Sequence, residues 1–215
     1  MLAELIHDAQ ALLPQAGGPA VLALAGPPAA GKSVLAHALV TRLRAQLGAE
    51  TVGYVPLDGF HLSNQVLAEL GRSERKGAPD TFDAAGYVAL LRRILARDSY
   101  PIYVPDYDRD LHEPIAARHV VAPTARLVIT EGNYLACARP PWGDIRTLVT
   151  ELWYVKADDE LREDRLQQRQ QYGGLSPQQA STWVAHSDRP NAELVKESRA
   201  RCDRVVRLEE EDPSA

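Results

Sequence analysis

The chain has 215 residues, 45% of them hydrophobic and 25% charged, with a formal net charge of −5 at pH 7. These proportions belong to an ordinary globular protein, long enough for one well-buried core and a small mobile subdomain. The acidic balance argues against a nucleic-acid binder with a broad basic surface, and no apolar run approaches the ~18 residues that cross a membrane.

Met1 to Gln15 carries Leu2, Leu5, Ile6, Leu12 and Leu13, interrupted by Glu4 and Asp8, which predicts an amphipathic lead helix and not a signal peptide. Val21 to Ala25 is a short apolar strand. It runs into Gly26-Pro27-Pro28-Ala29-Ala30-Gly31-Lys32-Ser33, which fits the phosphate-binding pattern G-x-x-x-x-G-K-[ST]. Val34, Leu35, Ala38, Leu39, Leu43 and Leu47 then recur at helical spacing. Strand, glycine loop and helix stand in the order this motif requires. Its glycines let the backbone wrap a polyphosphate, with N–H groups pointing inward at a helix N-terminus. Gly26 to Val34 is therefore the expected nucleotide cradle. Lys32 would reach the β- and γ-phosphates, and the Ser33 hydroxyl would ligate magnesium.

A second strand is expected over Thr51 to Leu57, ending at Asp58-Gly59-Phe60-His61. Ser63 caps a short helix through Leu70, and Gly71 to Asp80 reads as a polar loop. Asp83 opens a helix with Tyr87, Leu90, Leu91, Ile94 and Leu95 on one face. Tyr100 to Val104 is extended, and Ala116 to Ala122 reads as a further strand or an irregular crossing. Arg126 to Thr130 is strongly β and closes on Glu131-Gly132; Leu148 to Val155 is another strand. A long polar helix follows from Asp158 to Gln171, ended by Gly173-Gly174, and Ser176-Pro177 opens the next. A helix containing Glu193 to Ala200, a strand from Arg204 to Leu208 and an acidic, frayed tail from Glu209 complete the chain. Strands alternating with helices predict one α/β domain over 1–215: a mostly parallel sheet with helices on both faces and a lid at about 158–188. Ligands of such sheets gather at the carboxyl ends of the strands.

Asp58, at such an end, could accept a proton from an attacking hydroxyl or bind metal through water; an Asx turn with Gly59 is the alternative. Glu131, after a buried apolar run, resembles the acid that closes a Walker B strand and could position magnesium. Asp83 suits a helix N-cap, leaving Asp80 to face a ligand. Arg162, Arg165 and Arg169, three and four apart, share one helix face and suit a lid over phosphates, with Arg162 on the nucleotide and Arg165 and Arg169 steadying the transferring charge. A solvated face laced by Asp158, Asp159, Glu160, Glu163 and Asp164 is the alternative. His61 and His112 are substrate-side candidates or ordinary turn histidines, and no spacing suggests zinc. Cys137 and Cys202 read as reduced structural thiols, in keeping with a cytoplasmic protein.

Five segments, GPPAAGKS, LDGFHLSN, KGAPDTFDAAGY, PDYDRDLHEP and VITEGNYL, occur in the order seen in uridine kinase-like P-loop kinases. The chain resembles that family, which includes uridine–cytidine kinase, bacterial pantothenate kinase and phosphoribulokinase, over about Leu22 to Leu208. The resemblance implies a P-loop NTPase fold and transfer of the γ-phosphoryl group of ATP to an alcohol, with magnesium. It implies that Asp58 is the catalytic carboxylate, that Asp80 holds the acceptor, and that Tyr107 and His112 meet it. Dimers are common in the family, so a homodimer is an expectation. Two departures bear on the acceptor: Ala78 replaces the histidine of an HPD segment, and Arg109 stands where uridine kinases carry a second aromatic. A cation there suits a phosphate- or carboxylate-bearing acceptor as readily as a base. An ATP-binding switch with little turnover is the alternative function, which would have no need of the acceptor-side constellation.

Overall fold

A computed structural model of the protein describes residues 1–208; the acidic tail expected from Glu209 lies outside the described residues. Helix α1 (Leu2–Ala11) leads to β1 (Ala20–Ala25), all six of whose residues are buried. The phosphate loop follows, then α2 (Lys32–Leu47) and β2 (Val52–Pro56). Ser63 caps α3 (Asn64–Glu69) by accepting from Val66 N, and Asp83 caps α4 (Ala84–Leu95) by accepting from Gly86 N. After the hairpin strands β3 (Ile102–Asp108) and β4 (Glu113–Val121) come β5 (Leu127–Gly132), β6 (Glu151–Lys156), α5 (Asp159–Tyr172), α6 (Pro177–Trp183), α7 (Arg189–Glu197) and β7 (Arg204–Arg207).

Five strands form one parallel sheet in the order β2-β5-β1-β6-β7. β1, β2 and β5 are buried along their whole length, as apolar runs flanked on both faces must be. On one face Leu35, Leu39 and Leu43 of α2 join Leu5 of α1 and Trp153 of β6. On the other, Tyr87, Leu91 and Ile94 of α4 pack with Tyr134, Trp142 and Ile145. Register does the functional work: Pro56 and Leu24 both align with Glu131, so three strands end at one level of the sheet.

Three expectations shift. The extended segments expected at Tyr100 to Val104 and Ala116 to Ala122 are longer strands with shifted bounds, Ile102–Asp108 and Glu113–Val121, that pair with each other, antiparallel and outside the main sheet. Only Ile102, Val104 and Val121 of this hairpin are fully buried, so its polar half projects from the fold. The register slips between Val104 and Asp106, where Pro105 has no N–H to give. The strand expected from Leu148 begins at Glu151, because Thr150 turns back onto β1: its N–H donates to Val21 O (2.8 Å) and its hydroxyl accepts from Val21 N (3.0 Å). The helix expected over Glu193 to Ala200 starts earlier. α6, opened by a Ser176–Gln179 capping box, continues through a π-helical turn (Val184–Asp188) into α7.

The hairpin is seated against the turn that ends β2. A Cβ at Gly59 would lie 2.3 Å from Pro105 O and 2.4 Å from its carbonyl carbon, so only glycine allows this backbone approach. Gly59→Ala is expected to destabilise the protein by about 1–3 kcal/mol, read as a lower urea midpoint at unchanged slope.

Candidate active site

The phosphate loop is held open by backbone that ordinary side chains resist. Gly26 has φ of 152° and Gly31 of 92°, and Ala29 adopts a left-handed 60°. A Cβ at Gly26 would fall 2.4 Å from Val155 O of β6, so this glycine also permits the loop to lie against the neighbouring strand. Val34, on the first turn of α2, is 71% exposed.

Lys32 is buried, and its Nζ donates to Pro27 O (3.0 Å) and to Asn133 Oδ1 (2.7 Å). Burial lowers its pKa to about 8, with Glu131 and then Asp58 pulling back toward the charged form. Ser33 Oγ donates to Glu131 Oε1 (3.0 Å), and Tyr54 OH donates to the same oxygen (3.3 Å). Burial, then the Asp58 charge, pushes Glu131 up to about 7. A carboxylate desolvated this far and crowded by another gains most from a cation placed beside it. The Tyr54 hydroxyl is driven up by the same burial and by Glu131.

One strand over, Asp58 sits in a single 3-10 turn (Leu57–Phe60) at the end of β2. Arg109, at the tip of the β3–β4 hairpin, places a guanidinium nitrogen 3.5 Å from Asp58 Oδ2. Arg169 of α5 shares this cleft. Partial removal from water, then repulsion from Arg109, pulls its pKa down, while Asp58 and Asp188 oppose that. His61 turns its Nδ1 back to Asp58 O (2.7 Å), and its ring lies 4.0 Å from Phe82 and 4.8 Å from Tyr107 between centroids. Burial lowers the His61 pKa. Tyr107 is pushed up to about 12 by burial and then by Asp58.

The lid arginines divide. Arg162, expected on a helix face, is buried: Nη1 donates to Pro28 O (3.2 Å) and Nη2 to Asp159 Oδ1 (2.6 Å). Arg165 is exposed and donates to Ala29 O (3.4 Å). Both thus anchor α5 to the phosphate loop. Asp80, expected to face a ligand, is engaged by Arg75 (2.8 Å) and Arg72 (3.6 Å) of the preceding loop. His112 has φ of 54°, and its carbonyl accepts from Lys76 Nζ (2.6 Å) and Asn64 Nδ2 (3.2 Å), while its side chain stays exposed.

The sequence reading passed over Asn133, Tyr54 and Asp188. Asn133 follows Glu131-Gly132 directly, a position that could have flagged it. Tyr54 alternates inward with Val52 on β2 and reads as core. Asp188 is buried on the π-helical turn, and its Oδ2 has no hydrogen-bond partner among the described residues. Nothing in its local pattern separates it from a surface acid.

A parallel sheet with a Gly-Lys-Ser phosphate loop at its carboxyl edge, an acid paired to the loop serine and an arginine-bearing helix across the opening define a P-loop kinase. No family model matches the chain. It is similar to "Uncharacterized protein YggC" of Escherichia coli, at 33% identity over 192 residues, 89% of this chain and 78% of that one. It is similar as well to "Putative uridine kinase C227.14" of Schizosaccharomyces pombe, at 30% identity over 86% of this chain and 82% of that one. Among solved structures, a "putative fructose transport system kinase" from Silicibacter sp. TM1040 superposes with a TM-score of 0.86 at 33% identity, covering 96% of this chain and 98% of that one. The chain belongs to the uridine kinase-like P-loop kinases; it is an ATP-using phosphotransferase acting on a small-molecule alcohol. Among the described residues no helix is long and apolar enough to cross a membrane.

Arg162→Ala removes a buried guanidinium and both of its contacts, and is expected to cost about 1–3 kcal/mol of stability in denaturant melts.

Proposed function

We propose that the protein transfers the γ-phosphoryl group of ATP to a hydroxyl of a small metabolite, with magnesium, and that Asp58 is the base. The observation that carries this reading is the arrangement at the carboxyl edge of the sheet: Lys32 and Ser33 on the phosphate loop after β1, Glu131 3.0 Å from Ser33 Oγ at the end of β5, and Asp58 in the turn that ends the neighbouring β2. An acceptor hydroxyl beside Asp58 would donate its hydrogen bond to the carboxylate. As its oxygen bonds to the γ-phosphorus, the bond to the β–γ bridging oxygen breaks and ADP leaves, and the hydroxyl proton passes to Asp58. Lys32, already fixed on Pro27 O and Asn133 Oδ1, follows the charge on the β- and γ-phosphates. Arg169 supplies a second cation on the acceptor side, and Arg162 and Arg165 hold the lid helix against the loop that would carry the phosphates.

The donor set suits magnesium. Ser33 Oγ and Glu131 Oε1 are hard oxygens 3.0 Å apart beside the loop, and the burial that pushes the Glu131 carboxyl up supports a cation beside it. When bound, magnesium would neutralise phosphate charge and orient the γ-phosphoryl group. Ser33 would ligate it directly and Glu131 would hold it directly or through water.

Kinship with kinases of small alcohols supports an acceptor of that class without choosing one. Pantothenate kinases from several bacteria are related at 26–30% identity, and a D-glycerate 3-kinase shares the fold at a TM-score of 0.68. Ala78 and Arg109 replace the residues that suit a nucleoside. Tyr107 and His61 form the aromatic wall of the acceptor side.

Asp58→Asn is expected to retain ATP affinity while losing transfer by about 10²-fold or more. Full activity in that variant, measured by coupled ADP release, removes Asp58 as base. Lys32→Ala is expected to abolish ATP use, and chelation of divalent cations with EDTA to do the same reversibly.

A further inference from the structure

The cleft beside Asp58 holds more positive charge than the reaction outlined above uses. Arg109 contacts the Asp58 carboxylate, and Arg169 lies within electrostatic reach of both. Lys76 lies 5.2 Å from the centroid of the Tyr107 ring and donates to the carbonyl of His112. Glu113, the nearby acid, accepts from Asn64 N at 3.0 and 3.1 Å, and Asp108 is paired with Arg118. With Arg169 turned to the transferring phosphoryl group, Arg109 has only Asp58 to face, through one long 3.5 Å contact. Among the described residues that is the single hydrogen bond of its five-donor fork. A guanidinium 54% exposed and so weakly engaged is poised to take a bidentate anion. Part of the aromatic wall is already covered, since the Tyr107 ring is met by His61 and by Lys76.

The pairing also opposes the role given to Asp58. While Arg109 lies against Asp58 Oδ2, it occupies the approach that a hydroxyl of an acceptor, or of water, would use. We propose that the acceptor is a small alcohol bearing its own anionic group, a carboxylate or a phosphate. On binding, Arg109 exchanges Asp58 for that group and so frees the base only when an acceptor is present. Arg109 is then at once the determinant of acceptor class and a brake on hydrolysis of ATP by water. This rests on the reading of Asp58 as base and deepens it.

The test compares wild type with Arg109→Gln in two arms. In the first, ATP turnover is measured without any acceptor. Loss of the latch is expected to raise it roughly threefold to tenfold, the rise vanishing in the Arg109→Gln, Asp58→Asn double variant. A rate unchanged or lowered by Arg109→Gln overturns the latch. In the second arm, matched alcohols are offered as neutral and anionic twins: panthenol and pantothenate, glycerol with D-glycerate and glycerol 3-phosphate, ribose and ribose 5-phosphate. Affinity is read by calorimetry with a non-hydrolysable ATP analogue, and product by mass spectrometry. At least one anionic twin is expected to exceed its neutral counterpart by about tenfold or more, and Arg109→Gln to bring that ratio toward one. Carboxylate and phosphate twins separate the two anion sources. Neutral twins equal to or better than anionic ones, or a ratio that Arg109→Gln leaves intact, overturn the anionic acceptor. Phosphorylated product from no compound counts against the kinase reading itself, while binding ratios and acceptor-free turnover still decide the role of Arg109.

Discussion

The alignment of β2, β5 and β1 is the constraint on which the rest of the site depends. Parallel pairing puts every carboxyl end on one side, and the register sets Pro56, Glu131 and Leu24 at one level. The phosphate loop leaves β1 just beyond that level, the Asp58 turn leaves β2, and Glu131 closes β5. Residues 73 positions apart in the chain, Asp58 and Glu131, therefore share an electrostatic field, whereas a slip of one residue would turn Glu131 to the other face of the sheet. Gly132 and Gly59 protect this edge, since a Cβ at either would press within 2.5 Å of a neighbouring residue.

Burial at that edge stores unmatched charge. Lys32 and Glu131 are both withdrawn from water, and each is pushed toward its neutral form by the cost of that withdrawal. Such a pair is not arranged for stability, because buried charges seldom recover their desolvation in mutual attraction. On the proposed function it suits a ligand that brings both signs, a polyphosphate with its cation. The surrounding hydrogen bonds hold both side chains in place beforehand: Asn133 and Pro27 on the lysine, Ser33 and Tyr54 on the glutamate. Little of the reaction's binding free energy is then consumed in ordering them.

The acceptor side is built on a different principle. It comes from a two-stranded hairpin outside the main sheet and from one polar helix, joined at the turn after β2. Its ion pairs are more exposed than the hydrogen bonds around Lys32 and Glu131, which on the proposed reading suits a surface that must admit a substrate. The π-helical turn at Val184–Asp188 places a buried carboxylate within electrostatic reach of Arg169 and Arg162 and so ties the lid to both sides.

What could be read directly from the residues was local. A strand, a glycine loop and a helix in succession identify a phosphate cradle because the geometry is made within about ten residues, and Ser63 and Asp83 announce their helices by capping chemistry one turn away. The alternation of strands and helices likewise determined a parallel sheet, since hydrophobic periodicity is a property of each segment alone. Pairing partners are not. Tyr100 to Val104 and Ala116 to Ala122 were recognisable as extended, but their pairing with each other outside the main sheet was not, nor was their seating on the β2 turn, which depends on Gly59 admitting Pro105. The burial of Arg162, the engagement of Asp80 by Arg72 and Arg75, the turning of His112 to present its carbonyl and the meeting of Arg109 with Asp58 were decided by tertiary structure. Each joins charges or backbone groups brought together by the fold, and a charged side chain carries no local mark of which opposite charge will face it.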